Sequence, residues 1–244
     1  PPTVSCQPDI AVCTAAGADV SASTTFEVTT SDNVVVDDLT CVMTGATTSA
    51  ITMTESPTDV WASNSFEFAL GTTDVTCFST DTAGLTSEDC EFEVSVKDCE
   101  PPTASCQADI DVETADGSDV SDPTTFEVTT SDNVIVDDLS CAMSGATTSA
   151  ITMTESPTDV WTSNSFEFGL GTTHVTCFST DTAGNTSEDC DFEVSVKDCE
   201  PPTASCQDDI DVCTADGSNV SDPTVFEVTT SDNVIVDDLS CAMS

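Results

Sequence analysis

The sequence predicts an all-β protein of tandem β-sandwich domains held by disulfide bonds. Three observations predict it. Short segments alternate apolar and polar residues with a period of two, as half-buried strands do. Turn-forming sequences separate these segments, and the pattern returns 100 residues later with 83 of 100 positions identical. Fourteen cysteines recur at fixed offsets, without the CxxC pairs of zinc sites, which indicates an oxidising compartment.

Each copy is predicted to contain eight strands. The clearest are the two strands of the hairpin 71–97. In the first strand Val75 and Cys77 lie on one face, and in the second strand Phe92 and Val94 lie on one face. Ser-Pro-Thr-Asp at 56–59 is one of the turns between strands. Seven or eight short strands in about 100 residues are typical of a sandwich. The predicted strands of the first copy lie near 3–6, 9–13, 25–30, 34–41, 50–54, 64–69, 73–80 and 90–97.

The inward positions of these strands form the candidate core. Trp61 is assigned to it, and not to a surface anchor, because alternating Phe residues follow it closely. The other candidates are Ile10, Val12, Phe26, Val28, Val36, Leu39, Phe66, Phe68, Val75, Phe92, Val94 and Val96.

The repeat predicts domains at 1–100 and 101–200 and a partial third copy at 201–244, which differs from the second at four positions. Half a sandwich exposes sheet edges. Two explanations stay open: the sequence is an excerpt of a longer array, or another subunit completes the third copy by strand donation. The sequence begins at Pro1 without a signal peptide, which suits a mature end or an excerpt.

The connection at 97–102 ends in two prolines. Proline fixes φ, so this connection is expected to be short and stiff. Successive domains should then lie end to end at a reproducible angle.

The charge balance excludes several partners. The chain has 46 acidic and 2 basic residues, a net charge of -44. Nucleic acid and anionic membrane surfaces would repel it, whereas cations and basic partners would be attracted. A hydrophobic fraction of 38% argues against disorder, and no apolar run approaches the roughly 18 residues of a membrane span.

The string V-T-C-x-x-x-D-x-A-G-N-x-x-x-x-C-x-F-x-V-x-V is complete at 175–196. With the opening P-P-T-x-S-C-Q-x-D-I and the central S-D-N-V, it resembles the hyalin repeat (HYR) family. Leu85 departs from the Asn usual in that family. The resemblance implies an immunoglobulin-like sandwich and an extracellular, adhesive or matrix-forming setting, and such modules serve many functions.

In an immunoglobulin-like sandwich we expect the first strand to run parallel to the last, which brings their cysteines together. A second pair lies on two neighbouring strands of one sheet, with Cys41 closing its strand. The predicted disulfides are Cys6–Cys90 and Cys41–Cys77, repeated as Cys106–Cys190 and Cys141–Cys177.

Each of the first two copies has one further cysteine after its last strand. Cys13 and Cys99 could meet at one end of the first sandwich. In the second copy Glu113 replaces the partner, so Cys199 is expected to bond Cys213 across the junction or a cysteine of another chain.

Carboxylates gather where one copy should meet the next. Asp98 and Glu100 of the first connection would approach Asp132, Asn133 and Asp181 in the loops of the second copy. Clustered oxygens of this kind suit Ca²⁺. The alternative is a solvated acidic surface that keeps the protein soluble.

Hydroxyl side chains are abundant, often as Thr-Thr pairs. On strands Thr is a good outward-facing residue, and in an extracellular array it also offers O-glycan sites. N-glycan sequons occur at Asn185 and Asn219, so we expect covalent glycans.

No catalytic constellation is recognisable. His174 replaces Asp74 of the first copy, so no repeated function can depend on it. Asp37 and Asp38 should point to opposite faces of a strand and cannot flank one bond. No Ser-His-Asp arrangement or phosphate loop is evident, and we predict no enzymatic activity.

The sequence therefore predicts an extracellular rod or filament of self-associating repeats, because near-identical copies add length. The alternative is a calcium-dependent cell-adhesion or matrix-binding module with a matrix or carbohydrate partner.

Overall fold

The chain folds as β-strands joined by turns and irregular segments. This is seen in a computed structural model that describes residues 1–56 and 58–243. Two compact units are present. The first comprises Pro1–Ala104, Thr130–Leu139 and Phe178–Glu188; the second comprises Ser105–Thr129, Ser140–Cys177 and the chain from Asp189 onward.

Eight strands make up the first copy, in two four-stranded sheets. They are β1 (Thr3–Cys6), β2 (Ile10–Cys13), β3 (Glu27–Ser31), β4 (Val36–Gly45), β5 (Met53–Glu55), β6 (Val60–Ser63), β7 (Gly71–Asp81) and β8 (Cys90–Lys97). One sheet has the order β1-β3-β6-β5 and the other β2-β8-β7-β4. Strand β2 pairs in parallel with β8, with Ile10 opposite Val94, and the other neighbours pair antiparallel.

This arrangement is the strand order of an immunoglobulin-like sandwich. Its two sheets are conventionally ABED and CFG. Here β1, β3, β6 and β5 correspond to A, B, E and D, and β4, β7 and β8 to C, F and G. Strand β2 continues strand A onto the second sheet. The predicted all-β, immunoglobulin-like class is therefore confirmed.

The second copy repeats these elements 100 residues later. They are β9 (Thr103–Cys106), β10 (Ile110–Glu113), β11 (Glu127–Ser131), β12 (Val136–Gly145), β13 (Met153–Glu155), β14 (Val160–Ser163), β15 (Gly171–Asp181) and β16 (Cys190–Lys197). The sheet orders, β13-β14-β11-β9 and β10-β16-β15-β12, are also the same. The third copy contributes one antiparallel pair, β17 (Thr203–Cys206) with β18 (Val228–Ser231).

The core of the first sandwich lies between its sheets. Phe26 packs edge-on against Phe92 with ring centroids 5.1 Å apart. Trp61 is 8% exposed and belongs to the core. Most of the predicted core positions are buried, but Ile10 and Val12 only partly so. The core also contains Met43, Cys41 and Cys77, which were not among the candidates, although alternation places Cys77 on the same face as Val75.

The predicted strand at 64–69 is wrong. The regular strand is β6, immediately before it. Phe66 and Phe68 are buried as predicted, but their backbone is held by an isolated bridge to Thr24 and by hydrogen bonds with Ser21. The side chains of alternating apolar residues can therefore face the core even where the backbone forms no continuous ladder of β-sheet hydrogen bonds.

Strand β4 also differs from its prediction. It continues to Gly45, so Cys41 lies in its middle and does not close it. A register shift between Val36 and Asp38 interrupts its pairing, and Asp37 and Asp38 are both exposed. In the predicted turn at 56–59, Pro57 lies outside the described residues, as does Ser244 at the end of the third copy.

Candidate functional site

Disulfides join both pairs of elements predicted within each complete copy. The structure contains Cys6–Cys90, Cys13–Cys99, Cys41–Cys77, Cys106–Cys190 and Cys141–Cys177. The expected reason for the first pair needs correction, because β1 does not run beside β8. It lies in the opposite sheet, and Cys6–Cys90 therefore links the two layers of the sandwich. Loss of such a bridge typically costs about 2–5 kcal/mol.

The remaining predicted cysteines are free. Cys199 and Cys213 are both exposed thiols, so the expected bond between them is not formed. Cys199 has no partner inside its copy because Glu113 occupies the position of Cys13. A hydrogen bond with Glu113 and the negative charge of that carboxylate raise the pKa of the Cys199 thiol.

Three carboxylates form a cluster within the first unit. Asp98 follows β8, Asp132 lies in the turn between β11 and β12, and Asp181 ends β15. One ligand oxygen from each lies within 4.8 Å of the others. Hereafter these three residues are called the acidic cluster. The turns place them together because each aspartate accepts backbone hydrogen bonds from the residues that follow it.

Asp98 accepts three hydrogen bonds at a single oxygen. It is 6% exposed. Its Oδ1 accepts hydrogen bonds from Thr14 Oγ1 at 3.3 Å, the Glu100 backbone N–H at 3.1 Å and Asn133 Nδ2 at 3.3 Å. Its Oδ2 is buried and has no hydrogen-bond partner among the described residues. A buried carboxylate oxygen without a donor is uncommon in folded proteins.

Asp132 has the same asymmetry. Its Oδ2 accepts from the backbone N–H groups of Val134 at 3.1 Å and Ile135 at 3.0 Å. Its Oδ1 is buried, and no group in the described part of the chain forms a hydrogen bond with it. One oxygen of this side chain therefore shapes the turn, and the other is available to a ligand.

Asp181 is 2% exposed and more fully satisfied. Its Oδ1 accepts from the backbone N–H groups of Ala183 at 2.9 Å and Asn185 at 2.8 Å. Its Oδ2 accepts from Asn185 Nδ2 at 2.8 Å. In the first copy Asp81 accepts the corresponding backbone bonds from Ala83 and Leu85. The aspartate at this position therefore stabilises the loop that follows its strand in both copies, independently of any ligand.

Asn133 adjoins the acidic cluster. Its Nδ2 donates to the Ala18 carbonyl at 2.8 Å and to Thr14 Oγ1 at 3.3 Å, besides Asp98 Oδ1. Its Oδ1 is a further buried oxygen without a partner. The fifth predicted ligand, Glu100, is not in the cluster: its Oε2 accepts from the Gly17 backbone N–H at 2.8 Å.

Among the residues that the structure describes, no basic side chain pairs with the acidic cluster. The chain lacks Arg and has two Lys. In the described part of the chain Lys197 forms an ion pair with Asp111 at 3.4 Å, and His174 Nδ1 lies 3.2 Å from Glu193 Oε1. Both are exposed and leave the cluster uncompensated.

The second unit repeats part of this arrangement. Asn233 Nδ2 donates to the Ser118 carbonyl at 2.8 Å and to Thr114 Oγ1 at 3.1 Å. Asp232 Oδ1 and Asn233 Oδ1 are again buried and have no hydrogen-bond partners within 1–56 and 58–243. Glu200 Oε2 accepts from the Gly117 backbone N–H at 3.0 Å, as Glu100 does from Gly17.

The two sequon asparagines differ in their surroundings. Asn219 is exposed. Asn185 is half-buried, and its Nδ2 donates to the Asp98 carbonyl at 3.3 Å as well as to Asp181. The sequence did not indicate this structural duty of Asn185, although the change from Leu85 in the first copy marked the position as different.

The described residues include no helix long and apolar enough to cross a membrane. The single His174 lies on the surface, paired with Glu193. The disulfides themselves indicate an oxidising compartment.

The fold defines a class, tandem immunoglobulin-like repeats stapled by disulfides. The chain is 30% identical over 169 residues to hyalin of Strongylocentrotus purpuratus, a match that covers 66% of this chain and 12% of hyalin. The resemblance drawn from the motifs is thereby confirmed, and the repeats are of the hyalin (HYR) type. Comparison with models of protein families gives no match.

Solved structures similar to this chain include tandem domains of titin. The titin domains Z1Z2 in complex with telethonin are 12% identical, with 81% of this chain and 96% of that chain covered and a TM-score of 0.44. An I-band fragment of titin is 13% identical, with coverages of 94% and 87% and a TM-score of 0.37. The immunoglobulin-like class rests on the strand order of the two sheets.

Proposed function

We propose that this chain is part of an extracellular structural protein whose near-identical repeats are joined stiffly into a rod or filament. The observation that carries the proposal is the identity of 83 positions in 100 between the first two copies. Near-identical copies of one domain surface would add little to catalysis, whereas they add length and a regular spacing to a fibre. The similarity to hyalin supports a structural or adhesive setting.

The covalent framework suits that setting. Five disulfides lie within the two complete copies, and such bonds persist outside the cell. The connection Pro101-Pro102 restricts backbone rotation where one copy follows another. A chain stiffened at this point transmits force and keeps its neighbours at a fixed spacing.

Glycans are the second part of the proposal. The strands expose many Ser and Thr hydroxyls, and Asn219 is exposed within its sequon. We do not expect a glycan on Asn185, because the linkage would replace a hydrogen on Nδ2 and disturb its bonds to Asp98 and Asp181. Mass spectrometry of glycopeptides from the native protein tests this: modification of Asn219 with unmodified Asn185 is the expected result.

Electron microscopy of the native material, at a resolution that shows individual domains, tests the main proposal. Filaments with a regular axial repeat are expected. Dispersed single chains whose successive domains adopt all angles would contradict it.

A matched pair of variants isolates the role of the connection. Replacing Pro101 and Pro102 with Gly should broaden the distribution of end-to-end distances measured by small-angle scattering. The same replacement at Pro1 and Pro2, an identical dipeptide that joins no two copies within this chain, should leave the distribution unchanged. Equal distributions for both variants would show that the prolines do not stiffen the chain.

The second candidate function is a calcium-dependent adhesion or matrix-binding module. The acidic cluster favours this function, because adhesion that depends on calcium requires a site at which the ion binds. Beads coated with this chain should then aggregate, or bind matrix, in calcium and disperse in chelator. Filaments that persist in chelator without any distinct partner favour the structural function.

A further inference from the structure

We propose that Asp98, Asp132 and Asp181 bind one Ca²⁺ ion. Asn133 Oδ1 is the fourth candidate oxygen, because it is buried, has no hydrogen-bond partner among the described residues and belongs to the residue after Asp132. The remaining positions of the coordination shell would be filled by water. Ion binding at this site does not depend on filament formation and can be measured on the isolated chain.

The geometry fits the size of calcium. Ca²⁺ binds oxygen at about 2.3–2.6 Å, so two ligands on opposite sides of the ion stand roughly 4.8 Å apart. The ligand oxygens of the acidic cluster all lie within 4.8 Å of one another. One ion among them could therefore reach all three carboxylates.

The chemical types of the ligand atoms favour some metal ions over others. The cluster offers carboxylate and amide oxygens, which are the ligands of hard cations. It holds no thiolate or imidazole, which zinc and copper prefer. Mg²⁺ requires near-ideal octahedral geometry at about 2.0–2.1 Å and keeps several waters, whereas Ca²⁺ tolerates the irregular arrangement that three separate turns supply.

The orphaned oxygens are an independent observation that points to a ligand. Asp98 is 6% exposed, yet its Oδ2 has no donor. Asp132 Oδ1 and Asn133 Oδ1 are buried in the same condition. Buried polar atoms almost always have partners, and a bound ion is one of the recognised reasons for an apparent exception.

Electrostatics point the same way. Three carboxylates held this close repel each other, and burial strengthens the repulsion because water screens it less. The ion pairs of the described chain lie elsewhere. A divalent cation removes both the repulsion and the unmet hydrogen-bonding capacity of the free oxygens.

The first copy supplies a built-in comparison. Asp32 and Asp81 occupy the positions of Asp132 and Asp181. Among the described residues only the set containing Asp98 meets the distance requirement for a metal. A variant of Asp32 is therefore a control with the same local sequence and the same change in net charge.

The test is a calorimetric titration of the metal-free full chain with CaCl₂ at about 0.15 M ionic strength, which screens loosely held surface ions. We expect a saturable site in the wild type and at least a tenfold weaker affinity at that site in Asp132→Asn. Asp32→Asn should bind as the wild type does. Equal weakening in both variants, or none in either, would mean adventitious counter-ions only and would overturn the proposal.

Thermal melting separates ion binding from misfolding. Calcium should raise the melting temperature of the wild type and raise that of Asp132→Asn much less. In chelator Asp132→Asn should melt no lower than the wild type, because it removes one of three repelling charges. Unchanged melting of the wild type between calcium and chelator, together with no binding heat, would overturn the site, and equally tight Mg²⁺ binding would overturn its assignment to calcium.

Discussion

Asn133 donates a 2.8 Å hydrogen bond from Nδ2 to the carbonyl oxygen of Ala18. The same bond recurs 100 residues later, from Asn233 to Ser118, also at 2.8 Å. In each case the amide also donates to a threonine hydroxyl four residues before that carbonyl. The S-D-N-V segment thus forms a specific contact with the loop after β2 in the first unit and after β10 in the second.

Replacing Asn133 with Ala should destabilise the first unit. The change removes a partly buried amide whose two N–H donors are shared among three acceptor oxygens, and we expect the free energy of unfolding to fall by about 1–3 kcal/mol. Urea denaturation followed by tryptophan fluorescence measures it. Asn33→Ala, at the exposed equivalent in the first copy, should change stability by no more than about 0.5 kcal/mol; similar losses for both would contradict the contact.

Replacing Thr30 with Val should destabilise the first sandwich. Thr30 Oγ1 accepts a 3.1 Å hydrogen bond from the buried indole nitrogen of Trp61, and Val keeps the shape of the side chain while removing the acceptor. A buried N–H left without a partner costs about 1–3 kcal/mol. Denaturant unfolding is again the measurement. Thr54→Val, at an exposed position of the same sheet, serves as the control, and equal effects would show that the indole bond is not stabilising.

Much of the fold could be predicted because its signals are local. The hairpin of β7 and β8 shows period-2 alternation in residues that also contact each other, such as Val75 opposite Phe92. The segment 64–69 shows the same alternation, yet the backbones of its two phenylalanines bond Thr24 and Ser21, far away in sequence. Alternation reports which side chains face inward and carries no information about the backbone partner.

The acidic cluster, too, could be predicted from the sequence only in part. Asp98, Asp132 and Asp181 are short side chains fixed by their own turns, so their positions followed from loop topology. Glu100 has a longer, flexible side chain, and its carboxylate bonds Gly17 N–H instead. Which of several nearby donors a glutamate selects depends on distances of a few ångströms that sequence spacing does not contain.

The Cys199 thiol should be slow to alkylate at mildly alkaline pH. The hydrogen bond with Glu113 stabilises the neutral thiol, and the carboxylate charge opposes thiolate formation, so the pKa is raised. Glu113→Gln removes the charge, should lower this pKa and increase the fraction of reactive thiolate. Iodoacetamide labelling followed by peptide mass spectrometry, repeated across pH, should show faster labelling of Cys199 in the variant. An unchanged pH profile would contradict the role of Glu113.

Replacing Glu113 with Cys should create a disulfide with Cys199. In the first copy Cys13 lies opposite Lys97 in the parallel pair β2–β8 and bonds Cys99 across a Cα–Cα distance of 5.6 Å. Position 113 lies opposite Lys197 in the same register. The second copy therefore has the geometry for this bridge and lacks one sulfur atom.

Thiol titration under denaturing conditions measures the outcome. The free cysteines of the wild type are Cys199, Cys206, Cys213 and Cys241, and the variant should lose the Cys199 thiol without gaining one at 113. The urea midpoint of the second copy should rise, because a cross-link restricts the unfolded chain. Glu113→Ser, which removes the carboxylate without adding sulfur, should keep all four thiols. Reactive thiols at both 113 and 199, or dimers joined through them on a non-reducing gel, would show that the ends of β10 and β16 do not reproduce the geometry of the first copy.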